Sequence, residues 1–140
     1  MFFVLVKNFQ CALRRSTGYL ETLRYTMPKI EVAATQITAA LGTYCWERGC
    51  VDKIDSASTL LKGIAPTDVE PGATITVKFT TRLGPMKITM SRWLAENNYK
   101  NVMFKNNQLI APTKAGTYFY IIWTTWQEGD AAYSFAIRVK

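Results

Sequence analysis

Histidine is absent from all 140 residues. That removes the commonest general base, the usual partner of a nucleophilic hydroxyl or thiol, and the commonest metal ligand. Acid–base work would fall to carboxylates, and Asp and Glu together number only 10. Glu47, Asp52 and Asp55 lie close in sequence, and Glu128 and Asp130 share one turn. Neighbouring loop carboxylates are ordinarily solvated charges, and a glycosidase pair is defined by its separation in space rather than along the chain. Glycine-rich phosphate loops are missing too, so nucleotide binding has no support. We expect no enzyme activity, no catalytic residue, no metal and no cofactor.

The amino terminus is also short of apolar length. Met1, Phe2, Phe3, Val4, Leu5 and Val6 form a run of six closed by Lys7. A signal peptide needs a charged start and then about 7–15 apolar residues, and a helical membrane span needs about 18 or more. Cys11 follows Lys-Asn-Phe-Gln, unlike a lipoprotein box. No membrane span is expected within this chain.

Positive charge is in excess, with 17 Lys and Arg and a net charge of +7. Residues 1–27 hold four bases against one acid, and residues 28–140 hold 13 against nine. In the latter stretch the bases are spread singly, without the clustering that marks a nucleic-acid footprint. A mildly basic solvated surface is the expectation, with no nucleic acid as partner. A cytosolic binder of other polyanions is the alternative that this charge keeps open.

The chain changes character near Pro28. Before it, Phe9, Leu13, Leu20 and Leu23 form a weak helical stripe broken by Ser16-Thr17-Gly18. Residues 1–27 read as a loosely docked leader, or as the cut or mis-started end of a longer parent with Met27 near the domain edge. From 28 to 140 the apolar period is two, with frequent turn signals, which predicts one all-β domain. Ile30 and Val32 alternate in 29–34. Over 73–81, Ala73, Ile75, Val77 and Phe79 face one way and Thr74, Thr76, Lys78 and Thr80 the other, as in a half-buried antiparallel strand.

Val69-Glu70-Pro71-Gly72 is a turn. Gly84-Pro85 opens a strand with Met86, Ile88 and Met90 inward. Asn106-Asn107 suits a tight hairpin between 102–105 and 108–110, because Asn tolerates left-handed backbone. Residues 116–126 and 131–140 make the last hairpin, around Glu128-Gly129-Asp130. A short helix and a crossover segment are both open for 56–63. About seven strands result, an antiparallel immunoglobulin-like sandwich.

Two local features stand out. Cys45 and Cys50 enclose Trp46-Glu47-Arg48-Gly49, a loop tight enough for a structural disulfide, which would imply an oxidising compartment. Two reduced, packed thiols are the alternative. Zinc would need two further ligands, and the spacing is wrong for a redox motif. The second feature is 117–126, apolar on both faces. Tyr118, Tyr120, Ile122, Thr124 and Trp126 form one face; Phe119, Ile121 and Trp123 lie on the other. If the even set packs inward, Phe119, Ile121 and Trp123 form a partner surface or a sugar-stacking platform. A central strand covered on both sides is the other reading.

Several stretches together resemble a little-characterised β-sandwich domain of secreted proteins, lipoproteins and receptor-like membrane proteins of Gram-positive bacteria. They are Gly42-Thr43-Tyr44-Cys45-Trp46, Gly49-Cys50-Val51-Asp52, Val69-Glu70-Pro71-Gly72, Ala115-Gly116-Thr117-Tyr118 and Trp126-Gln127-Glu128-Gly129-Asp130-Ala131-Ala132-Tyr133-Ser134-Phe135. The resemblance runs from about residue 29 to the end. It implies that Tyr118, Tyr120, Trp126, Tyr133 and Phe135 are scaffold. It carries no enzyme activity and no established ligand. Ile121 and Trp123 depart from it, since that strand is usually polar outward.

The expected function is a non-enzymatic, extracytoplasmic binding module, the sensory or accessory part of a larger envelope protein. Its partner would be a protein or a cell-wall ligand, and a monomer is assumed. A carbohydrate-binding module using Trp123 with Phe119 or Trp46 is the alternative.

Overall fold

The computed structural model describes residues 6–8, 13–15, 27–47, 49–53, 56–80, 84–95 and 98–140. The chain divides into two compact units, Met1–Met27 with Thr80–Gly84 and Pro28–Phe79 with Pro85–Lys140. In the first, β1 (Val6–Asn8) and β2 (Leu13–Arg15) pair antiparallel, with Val6 opposite Arg15. A strand thus stands at Leu13 where a weak helical stripe was expected. The rest of that stripe, and the looseness expected of 1–27, lie outside the described residues.

The second unit is an antiparallel sandwich. Its strands are β3 (Lys29–Val32), β4 (Thr35–Ile37), β5 (Ala40–Trp46), β6 (Gly49–Val51), β7 (Thr67–Val69), β8 (Thr74–Lys78), β9 (Lys87–Ala95), β10 (Asn98–Asn101), β11 (Gln108–Ile110), β12 (Gly116–Thr125) and β13 (Gly129–Val139). One helix, α1 (Ala57–Leu60), lies between β6 and β7. The larger sheet runs β10-β9-β12-β13-β5-β6, with β7 parallel to the end of β13; the smaller runs β11-β8-β3-β4. These are seven and four strands rather than about seven in all. The strands not read from alternation are β4, β6 and β7, each of three residues and too short for it to show, with β5 and β10, while 102–105, expected as a strand, is none.

The core lies between the sheets and follows the expected alternation. Ile30, Val32, Ile75 and Val77 of the smaller sheet are buried, as are Tyr120, Ile122, Trp126, Tyr133, Phe135 and Ile137 of the larger unit's long hairpin. Tyr120 stacks on Phe135 at 5.2 Å, and Phe79 meets Trp126 edge-on at 5.3 Å. Phe79 itself is only half-buried. Tyr118 is also half-buried rather than core. Its hydroxyl donates to the Lys114 carbonyl at 2.7 Å, the tyrosine-corner arrangement by which a strand start is tied to the loop before it.

Other expectations are corrected in detail. Met86 is 73% exposed: its N–H continues the ladder to the Thr125 carbonyl at 2.7 Å, but it precedes β9 and only Met90 is fully buried. Asn106 and Asn107 do take φ of 55° and 62°. Yet β11 pairs with β8 of the other sheet, and only Lys105 bridges Gln108. Residues 102–105 therefore carry the chain between sheets. The 56–63 segment holds a helix: Ser56 Oγ accepts from the Thr59 N–H at 3.3 Å, satisfying one of the donors a helix start leaves free.

Cys45 and Cys50 sit directly opposite each other on β5 and β6 and are joined by a disulfide. Among the described residues no helix is long and apolar enough to cross a membrane.

Candidate functional site: an aromatic platform on the outer face of the large sheet

Alternation along β12 decides which side chains leave the core. With Tyr120, Ile122 and Thr124 turned inward, Phe119, Ile121 and Trp123 point to the outer face. The register places Phe119 opposite Trp93, Ile121 opposite Ser91 and Trp123 opposite Thr89. On the far side of β9, Tyr99 lies opposite Trp93 and Asn101 opposite Ser91. Four aromatic rings from three adjacent strands thus share one face, at the end of the sheet where β10 has no further neighbour among the described strands.

The three residues expected on this surface have separate fates. Ile121 is 5% exposed and does not reach solvent. It packs with Ala132 and with Ala57 of α1, so the helix roofs this part of the face. Phe119 is half-buried and meets Trp93 edge-on at 5.6 Å. Trp123 is 42% exposed. The outer face of β12 is therefore covered by α1 at Ile121 and open at Trp123. Trp46, the other sugar-stacking candidate, is 2% exposed and lies in the core against Trp126 at 5.7 Å.

The open ring is held in place. The Trp123 indole N–H donates to Ser91 Oγ at 3.2 Å, and that hydroxyl donates to Asn101 Oδ1 at 3.2 Å. Tyr99 stands nearly perpendicular to the indole, 81° and 6.4 Å between centroids. Ser91 is buried beneath this group, which fixes the donor–acceptor chain from below. What results is an exposed indole face, a phenol wall and the carboxamide of Asn101 at the rim.

Ser91, Trp93, Tyr99 and Asn101 were not singled out in the sequence. Ser91 and Trp93 continue the outward set of the strand that begins after Pro85. Extending its alternation by three residues would have found them; their pairing with β12 is not a local property.

Among the described residues carboxylates form no comparable cluster; Asp55 lies outside them. Among the described residues, no group of three or more Cys, Asp or Glu could hold a metal ion. Asp52 is 3.4 Å from the Thr43 hydroxyl, and Glu128 offers its carbonyl to the Glu47 N–H at 2.9 Å, both structural roles in turns. Asp68 is held by Arg138 at 2.7 Å and Lys140 at 3.1 Å. Hydrogen bonds from these two cations keep its carboxyl below the usual range. Compared with protein-family models, with curated proteins and with solved structures, the chain finds no match.

Proposed function

We propose that the chain is a non-enzymatic binding module of the cell envelope and that it acts through the platform around Trp123. One observation carries the reading: a large aromatic ring is left open to solvent while its polar end is already bonded. A ring fixed in this way loses little freedom when a partner covers it, so more of the contact energy appears as affinity. The disulfide supports an oxidising compartment.

A carbohydrate ligand has its own support. An indole face beside a perpendicular phenol matches the apolar face and edge of a pyranose ring, and the Asn101 carboxamide supplies a polar group next to them. Isolated Gram-positive wall fractions and soluble wall glycans, titrated against the wild type and Trp123→Ala, test both readings. We expect quenching or a shift of indole fluorescence on saturation, and at least a tenfold loss of affinity in the variant. Retention on wall fractions without response to any glycan would point to a protein partner. If Trp123→Ala bound as well as the wild type, the platform would be the wrong surface.

A further inference from the structure

The opposite side of the same two strands carries a second feature. Arg92, adjacent to Trp93 in β9, points to the inner face, opposite Tyr120 on one side and Lys100 on the other. It lines a cleft of about 560 Å³. The rest of its lining is the loop 112–115, including Thr113 and Lys114, and the start of β12 from Gly116 to Tyr118. No lining residue is acidic.

Arg92 has no ion pair among the described residues. Its guanidinium lies 5.2 Å from the Tyr118 ring centroid, and Tyr120 stands opposite it in the register. The ring contact holds a cation in place without neutralising it. Two phenols cover the group that a carboxylate would ordinarily pair, although a half-buried charge is costly to leave unpaired. Lys114 adds a second cation, and the bond from the Tyr118 hydroxyl to its carbonyl ties the loop to the start of β12. The planar guanidinium suits an oxyanion with two coplanar or near-coplanar oxygens.

We propose that this cleft is an anion-binding site, taking the carboxylate or phosphate of a small ligand between Arg92 and Lys114. It is independent of the platform around Trp123, because Arg92 and Trp93 project to opposite faces of one strand. Arg92 supplies the directional contact and Lys114 a movable second charge; Thr113 stands beside them as a hydroxyl donor.

The test uses the full chain and defined probes: glucuronate for carboxylate, inorganic phosphate for phosphate, and glucose as the uncharged control. Binding is read by calorimetry and by amide chemical-shift changes at residues 113–117. At least one anion should bind in the millimolar range or tighter, weaken as sodium chloride is raised, and shift those amides, while glucose does none of these. The anion that binds identifies the source of the charge. Arg92→Met should lower affinity at least tenfold. Because Arg92 also supports two tyrosines, Lys114→Glu on the exposed loop is the second variant; it should abolish binding and leave the thermal midpoint unchanged. Failure of both anions to bind would overturn the assignment. So would binding by Lys114→Glu equal to the wild type, or shifts that map elsewhere.

Discussion

Replacing Gly129 by Ala tests the packing of the hairpin end most directly. Gly129 begins β13 directly opposite Trp46 of β5. A Cβ built there overlaps the Cys45 carbonyl oxygen and comes within 2.9 Å of the Cys45 carbonyl carbon and 3.0 Å of Trp46 Cα. All three atoms are backbone, so no rotamer change relieves the overlap and the strands must separate. Separation disturbs the Trp126 N–H bond to the Gly129 carbonyl at 2.7 Å and the Glu47 N–H bond to the Glu128 carbonyl at 2.9 Å. It also shifts the Trp46–Trp126 contact.

Overpacking of this kind costs about 1–3 kcal/mol, and a weakened hydrogen bond adds about 1 kcal/mol. The expected loss is therefore about 2–4 kcal/mol, a large share of the roughly 5–15 kcal/mol of an ordinary domain. Gly49, at the start of β6 and opposite the same Trp46 from the other side of β5, is the control. A Cβ there meets nothing within 4 Å, so Gly49→Ala should stay within about 0.5 kcal/mol of the wild type. Urea denaturation followed by indole fluorescence measures both, with the slope checked for constancy. Equal midpoints for the two variants, or Gly49→Ala the weaker, would refute the reasoning.

Three further outcomes are expected. Cys45→Ser with Cys50→Ser should lower stability by up to about 2 kcal/mol, the loop-closure value for so short a loop, and native protein should show no reactive thiol at 45 or 50 until reductant is added. Ala33→Asn should raise stability by about 0.5 kcal/mol by denaturation, since Ala33 holds a φ of 53° in the β3–β4 turn and Asn tolerates that conformation better; a loss of stability would contradict this. Burial pushes the Tyr120 phenol up to about 12, against the opposing pull of Arg92, whereas an unfolded tyrosine titrates near about 10. Above pH 10 the unfolded chain has thus released a proton that the folded one keeps, so this contribution is whole below pH 10 and lost as pH rises towards 12. Tyr120→Phe should flatten the alkaline fall in stability, and an unchanged profile would count against the assignment.

The strands that could be read in the sequence are those whose neighbours in the chain report on them. β8 and β12 alternate over enough residues for their inward sets to be assigned, and the Cys45–Cys50 loop and the Asn106-Asn107 turn are local. The β3–β4 hairpin was not legible, because it turns at Ala33-Ala34 and alanine carries no turn preference. Residues 102–105 misled for a related reason: the turn after them was right, but a turn does not say to which sheet the next strand goes. The platform depended on β9 lying beside β12 and on α1 covering Ile121. Both are contacts between segments far apart in the chain, so alternation could give the two faces of β12 but not what covered either.

The two candidate sites share a common cause in the register of β9 against β12. Met90 lies opposite Ile122, which is followed along the same row by Tyr133, and all three are fully buried. That row fixes which residues of β9 face inward. A slip of one residue would send Arg92 outward among the aromatic rings and bring Trp93 inward beside Tyr120. It would also remove Ser91 from beneath Trp123. The core row is thus what gives one strand a cation on one face and an aromatic ring on the other, and the apolar character of both β12 faces follows from serving a core on one side and α1 with the platform on the other. Trp123 is the one large apolar side chain of β12 that stays exposed, and the Ser91 hydroxyl beneath it, with the Tyr99 ring beside it, sets its position.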